Sequence, residues 1–197
     1  RRTQTCSIAD LHLQIKPGTD VVLFNAISRR IIENGHAQQT FIENHTQGFD
    51  DFLKMVMGIS IIEAANICGV SVKKIRLAAT YIGESKGFIS MWAMGLNQSV
   101  IGVDKNLALL NISLLTGQIG KAGAGPFSLT GQPNAMGGRE VGGMANLLAA
   151  HKLQSKPKHR AEVAKFWGVD NLPAKPGLTA TEMFEAMENG KLKAIWI

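Results

Sequence analysis

Two short runs hold the residues whose types and spacing best suit chemistry. The first is Met94-Gly95-Leu96-Asn97-Gln98, which ends an apolar stretch that begins at Gly87. Met94 brings a soft, polarisable thioether, and Gln98 an amide that both donates and accepts, so the pair suits a polar ligand. The second run is TGQIGKAGAGPFSLTGQPNAMGGREVGG, Thr116 to Gly143, with nine glycines between Gly117 and Gly143. Such density costs backbone entropy unless the chain must turn with positive φ or approach a ligand too closely for a Cβ. Ile119, Pro126, Phe127, Leu129, Met136 and Val141 give this loop something to bury, unlike a Ser-rich linker. An ordered, ligand-hugging loop is expected. Its polar members are Thr130, Gln132, Asn134, Arg139 and Glu140, and Arg139 is the cation suited to holding an oxyanion. From residue type alone, Met94 also reads as a core methionine, Gln98 as a turn amide and Arg139 as a surface arginine.

Helices and a few apolar strands must position these runs. An extended segment from Leu11 to Ile15 leads to a Pro17-Gly18 turn, after which Thr19 or Asp20 caps a helix. Val21, Phe24, Ile27 and Ile31 fall at helical spacing, and Gly35 stops them. Short helices follow over 38–44, 48–57 and 59–68, and Ser71 caps a longer one carrying Ile75, Leu77, Ala78 and Ile82 inward. Gly87 to Gly95 reads as a buried strand. Asp104 to Leu115 is a helix with Leu107, Leu110 and Leu114 inward. Residues 145–179 read as basic and irregular. A helix over Ala180 to Glu188 stops at Asn189-Gly190, and Leu192 to Ile197 reads as a last buried strand. The fold class is α/β, with layered helices around a mostly parallel sheet. Residues 1–131 form an α/β portion ending in the glycine loop, and 132–197 a crossing segment into a second α/β portion.

Composition bounds the class. With 197 residues, 45% hydrophobic and 18% charged, the chain can bury a core and is not disordered overall. A formal net charge of +6 suits an anionic partner. Cys6 and Cys68 are too few and too far apart for a disulfide framework or metal spacing, which favours a reducing compartment. No run approaches the roughly 18 apolar residues of a membrane span. The start at Arg1-Arg2 without methionine and the end inside Ala194-Ile195-Trp196-Ile197 suggest a piece of a longer protein.

One further segment reads two ways. Ala65, Gly69, Val70, Ile75 and Ala78 fit a helix-turn-helix, with Lys73, Lys74 and Arg76 opening a recognition helix. Two helices joined by a tight glycine turn, with no nucleic-acid role, are the preferred reading, because only three cations line the segment and no aromatic or amide cluster accompanies them. The glycine loop is neither a P-loop, lacking Gly-Lys-Ser/Thr, nor a dinucleotide fingerprint, since it follows a helix instead of opening one.

MGLNQ followed by LLTGQIGKAGAGPFSLTGQPNAMGGREVGG resembles the molybdopterin-dependent oxidoreductases related to dimethyl sulfoxide reductase and formate dehydrogenase. SLTGQPNAMGGREVGG is most similar to the bacterial nitrate reductases, the assimilatory type more than the periplasmic. The resemblance extends through the opening IADLHLQIKPGTDVVLFNAI and the closing KLKAIWI. It implies the central fragment of a catalytic subunit that reduces nitrate to nitrite in the cytoplasm, with an unspecified electron donor and neither nucleic acid nor membrane span. The full enzyme would hold molybdenum between two molybdopterin guanine dinucleotides and carry a [4Fe–4S] cluster.

By the same resemblance, Met94, Gly95, Gln98 and Gly131 match cofactor-contacting positions. Arg1, Arg2 and Thr3 look like the end of a loop that meets the guanine dinucleotide, and Gly18, Thr19 and Asp20 match a second, where Asp20 accepts from guanine. Gln132 and Arg139 match positions near the metal and its substrate funnel, Arg139 guiding nitrate and Gln132 supporting the site. Formate dehydrogenases resemble the chain but carry arginine where it has Thr130, which argues against formate, although formate or another oxyanion on the same scaffold is the alternative. The family's cluster-binding cysteines, molybdenum ligand and C-terminal cofactor domain have no counterpart here. The piece alone is therefore expected to bind neither metal nor cluster and to be inactive.

Overall fold

The computed structural model describes residues 2–196, and the chain divides into two compact units that meet in sequence at Gly131 and Gln132. Each is considered by itself. The first unit is mostly helical: α1 (Gln4–Ser7), α2 (Asp20–Glu33), α3 (Gln39–His45), α4 (Phe49–Met57), α5 (Ile61–Cys68) and α6 (Val72–Glu84) precede β1 (Ile89–Trp92). Then come α7 (Met94–Asn97), α8 (Gly102–Leu115) and β2 (Gly125–Ser128). The second unit holds α9 (Ala135–Glu140), the short antiparallel pair β3 (Leu147–Leu148) and β4 (Lys152–Leu153), α10 (Pro157–Trp167) and α11 (Ala180–Glu188).

Helix α2 is the centre of the first unit. Leu23, Ala26, Ile27 and Ile31 on α2, Ala64, Ala65 and Cys68 on α5, Ile75 and Ala79 on α6, and Ile112 and Leu115 on α8 form one core. Burial of these side chains from several directions, at about 25 cal/mol per Å² of apolar surface, is what makes helices this short stable together. Ser60 and Ser71 cap α5 and α6 by accepting from the backbone N–H of Glu63 and Lys74. Gly69 turns between them at φ 71°, the left-handed region that suits glycine. Lys74 Nζ donates to the carbonyl of His12 at 3.0 Å, tying the extended entry segment to α6.

The parallel pairing is confirmed: β1 and β2 run side by side, with Ile89 opposite Gly125 and Trp92 opposite Ser128. Helix α8 makes the crossover between them, as parallel strands require. The strand itself departs from expectation, since Ser90 is buried while Met91 is 61% exposed. A two-stranded pair has no second layer in this unit to cover both faces, so the apolar run is not enclosed.

Four other expectations are corrected. On α8 the inward stripe is Lys105, Ala108, Leu109, Ile112 and Leu115, and Leu107 is 52% exposed. The phase is shifted because Asp20 holds the charge of Lys105, which lets a lysine occupy an inward position. Thr19 sits at the N-cap of α2, but its hydroxyl donates backward to the Lys16 carbonyl at 2.7 Å and does not cap. The basic stretch after Ala145 contains α10, opened by Pro157 at its first turn, where a missing N–H costs nothing. After α11 no strand forms among the described residues, and Trp196 is exposed, as is Lys193.

In the second unit Thr179 and Glu182 form a capping box on α11. Gln154 is buried, donating to the Lys175 carbonyl at 2.7 Å and accepting at its own carbonyl from Arg160 at 2.7 Å.

Candidate functional site

The carboxyl ends of β1 and β2 form the platform for the first group of candidate residues. The Leu129 N–H donates to the Trp92 carbonyl at 2.7 Å, carrying the parallel pairing one step past the strands. The chain then turns through α7, whose first residue is Met94 and whose C-cap is Gln98; the Gln98 N–H donates to the Met94 carbonyl at 2.8 Å. Ligands of open α/β sheets lie outside the carboxyl ends of parallel strands, and this is where α7 stands. Met94 is 40% exposed, Gly95 and Gln98 are exposed, and the space where a Cβ of Gly95 would stand is open.

Gly131 comes to the same place from β2. A Cβ there would lie 2.8 Å from both the Sδ and the Cε of Met94. With Met94 in this rotamer the backbone thus approaches the thioether more closely than a Cβ could, and a larger residue would have to push the thioether aside. The glycine run is thus no single loop. It supplies β2, then the close approach at Gly131, and in the second unit α9, capped by Asn134, whose Oδ1 accepts from the Gly137 N–H at 3.0 Å.

A side-chain bridge that the residue pattern did not single out holds this platform. Trp92 Nε1 donates to Asn97 Oδ1 at 2.9 Å, and Asn97 Nδ2 donates to Ser128 Oγ at 3.0 Å. Gln118 does comparable work at the other end of the strands. It is buried, accepts from the Phe88 N–H at 3.2 Å and donates to the Thr116 carbonyl at 3.0 Å. Both amides stood in the sequence inside motifs read for other residues; only the fold gives them partners.

Two further groups lie near the start of the first unit. Arg2 and Thr3 line a shallow cleft with Gln4, Thr5 and Ser7, while Arg1 lies outside the described residues. The Thr3 hydroxyl is 3.5 Å from Cys6 Sγ and holds that thiol below its ordinary pKa. Gly18 turns at φ +84° with open space around its missing Cβ, and Thr19 and Asp20 follow into α2. The carboxylate of Asp20 is not free: Oδ2 is 2.8 Å from Lys105 Nζ, with Lys105 only 8% and Asp20 17% exposed at the side chain.

In the second unit, Arg139 lies in the last turn of α9 and is exposed. Its guanidinium takes part in no ion pair among the described residues, although Glu140 is its neighbour in sequence. Gln132 is exposed and opens this unit. Among the described residues no three His, Cys, Asp or Glu side chains gather as metal ligands. No described helix is long and apolar enough to cross a membrane. The α5–α6 corner belongs to the core through Ala64, Ala65, Cys68 and Ile75, with Lys73 and Arg76 exposed.

A family model described as molybdopterin oxidoreductase matches residues 1–197. The chain is 44% identical over 199 residues to a nitrate reductase of Synechocystis sp., covering 100% of this chain and 28% of that protein. It is 43% identical over 197 residues to a nitrate reductase of Shewanella frigidimarina, covering 99% of this chain and 21% of that one. Among solved structures it resembles acetylene hydratase from Pelobacter acetylenicus with a TM-score of 0.58 and 27% identity, over 62% of this chain and 17% of that chain. The chain therefore spans between about a fifth and 28% of the curated relatives it matches. These comparisons lend the nucleic-acid reading no support.

Proposed function

The chain belongs to the molybdopterin oxidoreductase family, and we propose that it is the central part of a nitrate reductase catalytic subunit that reduces nitrate to nitrite. The observation that carries this reading is the close packing of Gly131 on Met94 beside Gln98, at the carboxyl ends of a parallel strand pair. A molybdenum bis(molybdopterin guanine dinucleotide) cofactor fits the residues present. Gly95 and Gly18 leave open backbone where a large planar ligand must lie close. The Asp20 carboxylate, a pure acceptor, matches the paired N–H donors of a guanine edge.

When bound, molybdenum supplies the oxygen-atom transfer; the chain binds, orients and neutralises. Met94, Gly95, Gln98 and Gly131 hold the cofactor at the strand ends. Arg1, Arg2 and Thr3 are assigned to one nucleotide, and Gly18, Thr19 and Asp20 to the other, with Lys105 holding the Asp20 carboxylate in place. Arg139 guides nitrate through a planar, permanently charged guanidinium that offers paired donors to an oxyanion. Gln132 supports it. Residues 132–197 serve as a crossing segment into a second α/β portion, and the [4Fe–4S] cluster is held elsewhere in the parent. The assimilatory kind goes with a cytoplasmic setting. Thr130 favours nitrate over formate, whose relatives carry arginine there. This piece alone is inactive.

The test is the full-length parent, assayed for nitrate reduction with an artificial donor and analysed for molybdenum and iron, beside Arg139→Ala. Nitrate activity that the variant loses while keeping its molybdenum is the expected result. Molybdenum without nitrate activity transfers the scaffold to another substrate, and a parent that stays free of molybdenum when the cofactor is supplied overturns the reading.

A further inference from the structure

We propose that Asn97 is a positioning residue that sets Met94 and Gln98 for their ligand by clamping the ends of β1 and β2. The inference rests on the reading of this chain as part of a molybdopterin nitrate reductase. Helix α7 is one turn of four residues with no side-chain cap, and a single turn does not hold itself in water. Leu96 packs this turn against the core, and Asn97 ties it to the strand ends. Its Oδ1 accepts from Trp92 at the end of β1, and its Nδ2 donates to Ser128 at the end of β2, so one amide joins three elements.

The backbone of Asn97 is held as well. Its carbonyl oxygen would lie 2.5 Å from a Cβ at Gly102, so the start of α8 closes on it as only glycine permits. Met94 and Gln98 flank this anchored residue at the first position and the C-cap of the same turn. Ser128 stands three residues before Gly131, the residue packed on the thioether of Met94. The bridge therefore fixes both sides of the Met94–Gly131 contact: the turn that carries the methionine and the strand end that carries the glycine.

The hydrogen bonds are at exposed side chains, where exchange with water leaves little net stability. A role in positioning is thus separable from a role in folding. The experiment is a double-mutant cycle in the full-length holoenzyme with Asn97→Ala, Ser128→Ala and both together. It reads kcat and KM for nitrate per bound molybdenum, cofactor content, and thermal unfolding. Ser128→Ala is the milder change, at an exposed strand end, and keeps the cycle informative if Asn97→Ala lowers the yield.

The expected result is a loss of about 10- to 100-fold in kcat per molybdenum or in cofactor retention for Asn97→Ala, the usual scale for a residue that orients a ligand-contacting group. Ser128→Ala should lose less, and should cost nothing more once Asn97 is alanine, with thermal unfolding little changed throughout. Loaded wild type with an unchanged Asn97→Ala, or strictly additive effects, overturns the positioning role and leaves the family reading intact. A wild-type parent without molybdenum overturns both.

Discussion

Lys105 Nζ lies 2.8 Å from Asp20 Oδ2, and both side chains are largely withdrawn from solvent. The pair joins the start of α2 to the first turns of α8, so it is a fastener of the first unit as well as a feature of the candidate nucleotide loop. Removing one partner of such a pair strands a charge away from water. Asp20→Asn should therefore destabilise the protein by about 3–5 kcal/mol, whereas Asp20→Asn with Lys105→Met should recover most of the loss. Chemical denaturation of the three proteins measures this. Equal losses in the single and double variants would show that the pair is not what holds the two helices.

Gly131→Ala separates stability from site geometry. The new Cβ would meet the far end of the Met94 side chain, which has three rotatable bonds and can move aside. Unfolding should change little, while the parent should hold its cofactor less well or turn over more slowly because the thioether has been displaced. Molybdenum content and nitrate turnover beside a melting curve check the split. A large fall in melting temperature with unchanged turnover would place Gly131 in the fold and outside the site.

What could be read from the sequence follows from the range of the signal. Ser60, Ser71 and Thr179 act on backbone groups three residues away, and Gly35, Gly69 and Gly190 end helices locally, so the helices they bound were foreseeable to within a residue or two. The phase of α8 was not, because Leu107 looks inward by hydrophobicity and Lys105 outward; only a partner on α2 makes the buried lysine affordable. The run around Met91 reads as a buried strand because apolar residues cannot say whether a second layer exists to cover them. Met94, Gln98 and the glycine loop were legible as local motifs. Their meeting through Asn97, Trp92 and Ser128 depends on strand register, which no local pattern contains.

Glu33 gives the protein an acid limb. Arg29 Nε donates to its Oε1 at 2.7 Å and Arg30 Nη1 to its Oε2 at 3.1 Å, and these bonds, Arg29 first, hold the carboxyl below its ordinary range. A folded pKa below the unfolded value of about 4.3 means stability that is fully present above that pH and lost as pH falls through the folded pKa. Glu33→Gln should therefore be less stable than wild type near neutrality, with the gap closing below pH ~4. Urea unfolding across that range is the measurement. A gap that stays constant with pH would remove the ion pair as its cause.

The two thiols should react on different clocks. Cys6 lies in the short helix α1, partly exposed, and the Thr3 hydroxyl beside it lowers its pKa, so more of it is thiolate at neutral pH. Cys68 is fully buried on α5, near the Thr19 carbonyl at 3.6 Å, and burial pushes its thiol up. A thiol reagent at neutral pH should label Cys6 rapidly and Cys68 only as the core opens, so that denaturant converts a single-site reaction into a two-site one. Thr3→Ala should slow the first phase and leave the second untouched. Rapid labelling of Cys68 under native conditions would mean that α2, α5 and α6 separate far more readily than their shared core allows.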